Sequence, residues 1–246
     1  DNVIEYESIV VATDSMPVED WRKTYKFSWA IQCFHSLGLL QAISIILRYI
    51  YGIKYVKFYE SIVEYYQEYL DKIIGQEIII MDNILDNILA GIGSDQYLPN
   101  FLDITWPPEE ATFLRVSEKL NQFYEELTPF LKNLLSKTGI EINDELIQDI
   151  IKYQKAIMVK YDCDDNIDLK LKYNINELFK MARSGQIVDL KNGIYNHIIV
   201  CDKKYSKDKN KFAKEVIWFG RKGGKFFYPV ENYHIHNQQV YSVDPN

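Results

Sequence analysis

The chemistry of this chain has to come from four histidines, three cysteines and a scatter of carboxylates and cations. His35 sits in CFHSLG at a helix end, where it could be a base or a ligand. No second histidine lies close in sequence, so a core or capping role outweighs the catalytic one. His234-Ile235-His236 would place two imidazoles on one face of a strand, an arrangement that suits a metal, but no further ligands recur around them and no metal site is expected. Cys33, Cys163 and Cys201 are widely spaced, no C-x-x-C occurs, and three thiols cannot all pair. A reducing, cytoplasmic setting is the expectation. Asp162, Asp164, Asp165 and Asp168 lack the glycine and closing glutamate of a calcium loop and read as a solvated linker.

Glu109 and Glu110 follow Pro107-Pro108 and suit the positive end of a helix. As paired carboxylates they could also serve His35 in catalysis, the weakest of the functional readings. Arg221 and Lys222, in FGRKGGK, offer cations and backbone amides to an anion, without the order of a P-loop. G-x-S-x-G, H-E-x-x-H and G-x-G-x-x-G are all missing. No catalytic residue is assigned. The binding candidates are Trp29, His35, Trp106, Glu109, Arg221 and Lys222.

The elements that would carry these residues form an α+β chain, mostly helical. A helical domain is expected over 1–160 behind an extended N-terminal arm, and a smaller α+β unit with a β-hairpin over 161–246. Trp21, Tyr25, Trp29, Cys33 and Leu37 recur at steps of four and make one helix face, stopped at Gly38. Leu39 to Ile53 is apolar but broken by Gln41, Ser44 and Arg48. It is too short and too polar to span a bilayer, so a buried helix is expected. Further helices are read over Tyr55–Ile74, stopped at Gly75, then Glu77–Ala90, Glu109–Leu135 with a bend at Pro129, and Asn143–Val159. Residues 91–108 are a long aromatic connection, packed in a groove or used for binding.

Beyond residue 166 the pattern alternates. Strands are expected over Ile167–Tyr173 and Ile194–Cys201, with a short helix at Ile175–Ala182 between them. Glu215–Lys222 and Lys225–Val230 should pair as a hairpin across Gly223-Gly224. Lys222 would then face Lys225, a mismatch that an acidic neighbour or an anion would relieve. The net charge of −7 argues against a nucleic-acid binder. The aromatic content of 14% favours a large core or a binding groove.

Four stretches carry a family resemblance: DWRKTYKFSWAIQCFHSLGL at 20–39, VKFYESIVEYY at 56–66, DITWPPEEATFLRV at 103–116 and FAKEVIWFGRKGGKFFY at 212–228. Together they resemble the C-terminal region of radical S-adenosylmethionine (SAM) proteins that carry an N-terminal cobalamin-binding domain. The resemblance implies a longer parent protein holding a [4Fe–4S] cluster, S-adenosylmethionine and cobalamin. The family's C-x-x-x-C-x-x-C and D-x-H-x-x-G motifs are absent here, so no cluster or cobalamin ligand carries over to any residue. The implied role is an accessory domain that covers the active site or binds substrate or partner, with the catalytic domain upstream or in another protein. The alternative is a stand-alone helical protein whose aromatic groove holds a ligand or another protein.

Overall fold

The computed structural model describes residues 8–64, 66–201, 203–205, 207–218, 234–235 and 238–243. Helix α1 (Val18–Ala30) opens with Glu19 and Asp20 in its first turn, where carboxylates complement the helix dipole. It passes without a break into a π-helical turn, Ile31–Ser36. The row at steps of four packs inward as its spacing implies: Trp21, Trp29, Cys33 and Leu37 are buried, and the Tyr25 ring lies tilted against Trp21 at 5.5 Å. Gly38 turns the chain at φ 94°, a value that only glycine adopts readily.

Helix α2 (Gln41–Tyr51) crosses beneath, with every residue from Ala42 to Leu47 buried. Its N-cap, Leu40, has no side chain that can cap. Gln154 supplies the cap from across the fold: its Oε1 accepts from the Ala42 and Ile43 amides at 2.7 and 3.4 Å, and its Nε2 donates to the Gly38 carbonyl at 2.9 Å. Among the described residues no single helix is long and apolar enough to cross a membrane; the one pair that passes by composition is bent by 94°.

Helix α3 (Tyr55–Glu64) is shorter than its periodicity suggests, and a 3-10 turn, Tyr66–Tyr69, follows it. Gly75 does not end a helix. It lies in the first turn of α4 (Ile73–Leu89), where an added Cβ would come 2.1 Å from the Tyr69 carbonyl oxygen. Glycine is therefore required there for close approach. Residues 91–108 fold into a small hairpin of β1 (Gln96–Leu98) and β2 (Ile104–Trp106).

The expected fifth helix is two. Helix α5 (Pro108–Ser117) takes Pro108 in its first turn, and α6 (Leu120–Lys137) follows after Glu118 and Lys119. Pro129 lies inside α6 and does not end it. Helix α7 (Asp144–Ile157) starts at Asn143, whose side chain accepts from the Leu146 amide at 3.0 Å.

Strand β3 (Ile167–Tyr173) turns Leu169, Leu171 and Tyr173 inward against α7. The Asp149 carboxylate of α7 accepts from the Lys172 and Tyr173 amides and ties the two elements together. Helix α8 (Ile175–Ser184) packs on α2, and β4 (Asn192–Ile199) returns antiparallel to β3. With β5 (His234–Ile235) and β6 (Gln238–Val243) these form one sheet in the order β3-β4-β6-β5. The architecture is α+β and mostly helical, and one hydrophobic core runs from Trp21 through Ile175 to Ile217.

Glu215–Trp218 is not a strand. Helix α9 (Lys209–Phe212) continues into a π-helical segment, Ala213–Trp218. The pairs Phe212/Val216 and Ala213/Ile217 are spaced by four and all four residues are buried, so a helical face outcompetes the local alternation. Residues 219–233, with the rest of the expected hairpin and both Arg221 and Lys222, lie outside the described residues.

Candidate functional site

The three polar residues that interrupt α2 are the key to the site. Gln41, Ser44 and Arg48 are spaced by three and four, which sets them on one face of the helix. Above that face lie the π-helical turn carrying His35 and the helix α3 carrying Tyr55 and Tyr59. Gln41 Nε2 donates to the His35 carbonyl at 3.3 Å. Ser44 donates to the Gln41 carbonyl at 2.9 Å, and the buried Tyr59 hydroxyl donates to Ser44 Oγ at 2.9 Å. His35 Nδ1 is 2.8 Å from the Tyr59 oxygen and 3.3 Å from Ser44 Oγ.

The Tyr59 and Ser44 hydroxyls hold His35 through Nδ1. Nε2 has no hydrogen-bond partner among the described residues. Burial lowers the His35 pKa, and the nearby Arg183 guanidinium lowers it further. The same burial raises the Tyr59 pKa, so its hydroxyl stays protonated. The Tyr55 ring packs edge-on to His35 at 5.5 Å and carries the Arg48 guanidinium over it at 4.8 Å. The result is an imidazole held at Nδ1 by two hydroxyls, kept neutral by burial and by the charge of Arg183, with Nε2 left for a further hydrogen bond.

The other candidates fall elsewhere. Trp29 is a core residue, 2% exposed; its Nε1 donates to Thr112 Oγ1 at 3.3 Å. Thr112 in turn donates to Glu77, which holds Arg115 through two short contacts of 2.9 and 2.6 Å. Trp106 is equally buried at 2%. The hairpin folds it inward: Nε1 donates to the Phe101 carbonyl at 3.1 Å, and Trp218 packs edge-on at 6.0 Å. Glu109 is in the first turn of α5, and the hydrogen bonds of His35 run to Ser44 and Tyr59 instead. Sequence reasoning missed Ser44, Arg48, Tyr59 and Arg183. The signal available was the polar stripe in an otherwise apolar α2.

The fold joins Cys163 to Cys201 as a disulfide, with Cα atoms 5.7 Å apart. Cys33 is buried in the aromatic core. Three thiolates therefore do not converge, and among the described residues no group of three or more His, Cys, Asp or Glu side chains is arranged to hold a metal ion. The side chains present do not fit an iron–sulfur cluster.

Comparison with known proteins now bears on this site. The cobalamin-dependent radical SAM methyltransferase TokK of Streptomyces tokunonensis is 24% identical over 187 residues, 70% of this chain and 27% of TokK. The chain resembles part of a cobalamin-dependent radical SAM methyltransferase. The 2-(S-pantetheinyl)-carbapenam-3-carboxylate methyltransferase of Streptantibioticus cattleyicolor is 23% identical over 180 residues, 67% of this chain and 26% of that enzyme. The chain thus spans about a quarter of the length of the curated relatives it matches. No protein-family model matches it.

Proposed function

We propose that this chain is the C-terminal accessory region of a cobalamin-type radical SAM enzyme, covering the active site or binding substrate or a partner. The observation that carries the reading is the disproportion in the matches: 70% of this chain aligns with only 27% of TokK. The [4Fe–4S] cluster, S-adenosylmethionine and cobalamin then belong to other parts of the longer protein, which fits the cysteines described above. The His35 site supplies this region's own chemistry. Its imidazole leaves Nε2 for a further hydrogen bond, and Arg48 and Arg183 add positive charge for an acidic group on substrate or on the catalytic domain.

The test uses the longest polypeptide encoded by the natural reading frame. A C-x-x-x-C-x-x-C motif is expected in that polypeptide or in a protein that co-purifies with it. Anaerobic reconstitution should load iron, sulfide and cobalamin, and His35→Asn should leave that loading unchanged while lowering methyl transfer. A frame with no such motif and no such partner sinks the proposal, and so does loss of the cluster on replacing Cys33, Cys163 or Cys201 with serine.

A further inference from the structure

We infer that the cleft between the end of α7 and β3 is a binding site for a small oxyanion, a phosphate or carboxylate group held by Lys155 and Lys160. This is independent of the His35 site and of the family reading. The cleft is about 430 Å³. Four lysines line it: Lys152 and Lys155 from α7, Lys160 from just beyond its end, and Lys170 from β3. Ala156 and Leu169 are buried beneath them, which makes its floor apolar. A second cleft of about 600 Å³ shares Lys155 and Lys160 and adds Lys119 on its far wall.

A cluster of cations is unusual on a chain whose net charge is −7. The bland account is that each lysine has an acid of its own. Lys152 does, reaching Asp149 at 3.8 Å. Among the described residues Lys155, Lys160 and Lys170 form no salt bridge. Asp168 is the one carboxylate lining the first cleft. Glu118, Asp162, Asp164 and Asp165 line the second. The α7 C-terminus brings roughly half a negative charge. Within the first cleft Asp168 and that helix end offset only part of the charge of Lys155, Lys160 and Lys170, with Asp162 acting on Lys160 from the second cleft.

Lys160 shows the consequence. Burial pulls its amine down to about 8, Asp162 works against the fall, and the neighbouring Lys155 adds to it. A half-buried ammonium beside a second one is a costly arrangement in the empty cleft. A bound oxyanion between them replaces lost hydration and turns repulsion into attraction, since hydrogen bonds from ammonium to oxyanion are among the stronger kinds.

The test is competitive acylation of the full chain with acetic anhydride, read residue by residue by mass spectrometry. It is run at constant ionic strength with sodium chloride alone, with inorganic phosphate, and with citrate. In chloride, Lys160 should titrate near pH 8; the exposed Lys54 is the control. The site is supported if phosphate or citrate slows acylation of Lys160 at pH 8 by about fivefold or more and leaves Lys54 unaffected. Protection by phosphate alone identifies a phosphoryl ligand; protection by citrate alone identifies a carboxylate. Lys155→Gln should abolish the protection while circular dichroism stays unchanged. Acylation of Lys160 that neither anion alters, or equal slowing of Lys54, overturns the inference.

Discussion

Trp29 and His35 are six residues apart on one continuous helical run, and burial gives them opposite roles. Trp29 is sealed between Phe34, packed edge-on at 5.6 Å, and the Thr112 hydroxyl. Trp29→Ala is expected to cost about 3–5 kcal/mol in chemical denaturation; a loss below about 1 kcal/mol would contradict its place in the core. His35 is expected to make stability depend on pH. Its folded pKa lies below the unfolded value of 6.5, so the unfolded chain binds a proton more readily. The contribution is complete above that unfolded value and is lost as pH falls from it through the lower folded value. His197 acts in the same direction, because burial and the nearby Lys180 lower its pKa too. Denaturation midpoints between about pH 7 and pH 5 should therefore fall for the native chain, and His35→Asn should flatten part of that slope. An unchanged slope would mean that His35 titrates normally.

At the scale of elements, two side chains on α7 hold other elements in place. Gln154 caps α2 and grips the Gly38 carbonyl, so Gln154→Ala leaves two amides and a carbonyl without their partner. A loss of roughly 1–3 kcal/mol is expected in urea denaturation, near the upper end because the site is buried. Asp149 does the same for β3 through the Lys172 and Tyr173 amides. Asp149→Asn keeps an acceptor and should cost less than Asp149→Ala. Equal losses would show that the charge, with Lys152 at 3.8 Å, matters more than the two hydrogen bonds.

At the scale of the whole molecule, the Cys163–Cys201 link closes a stretch of 38 residues that contains β3, α8 and β4. In the chain-entropy account a loop of that length contributes up to about 4 kcal/mol. Adding reductant should lower the melting temperature, and Cys201→Ser should lower it without further response to reductant. Alkylation under denaturing, non-reducing conditions should label Cys33 and leave the other two unlabelled. Labelling of all three thiols in freshly prepared protein would show that the pair stands reduced.

The sequence by itself determined what is local. The four-residue row from Trp21 to Leu37 specified a buried helical face. The alternation over Ile167–Tyr173 specified a strand that the structure has at the same bounds. Periodicity works there because each element buries one continuous face. It failed at Glu215–Trp218, where the same apolar residues fit a strand or a helix and tertiary burial chose the helix. It failed again at Gly75, where the glycine that reads as a stop instead admits the Tyr69 carbonyl. The candidate site was half legible. His35 stood out, and Gln41, Ser44 and Arg48 stood out as flaws in an apolar helix, but nothing local says that those flaws face the histidine. Only the 94° turn between the helical run Val18–Ser36 and α2 brings them together. The same holds for Gln154, which caps a helix 112 residues away, and for the Cys163–Cys201 pair. Hydrogen bonds, ion fields and disulfides depend on separations in space, and a chain's pattern of burial constrains those separations without spelling them out.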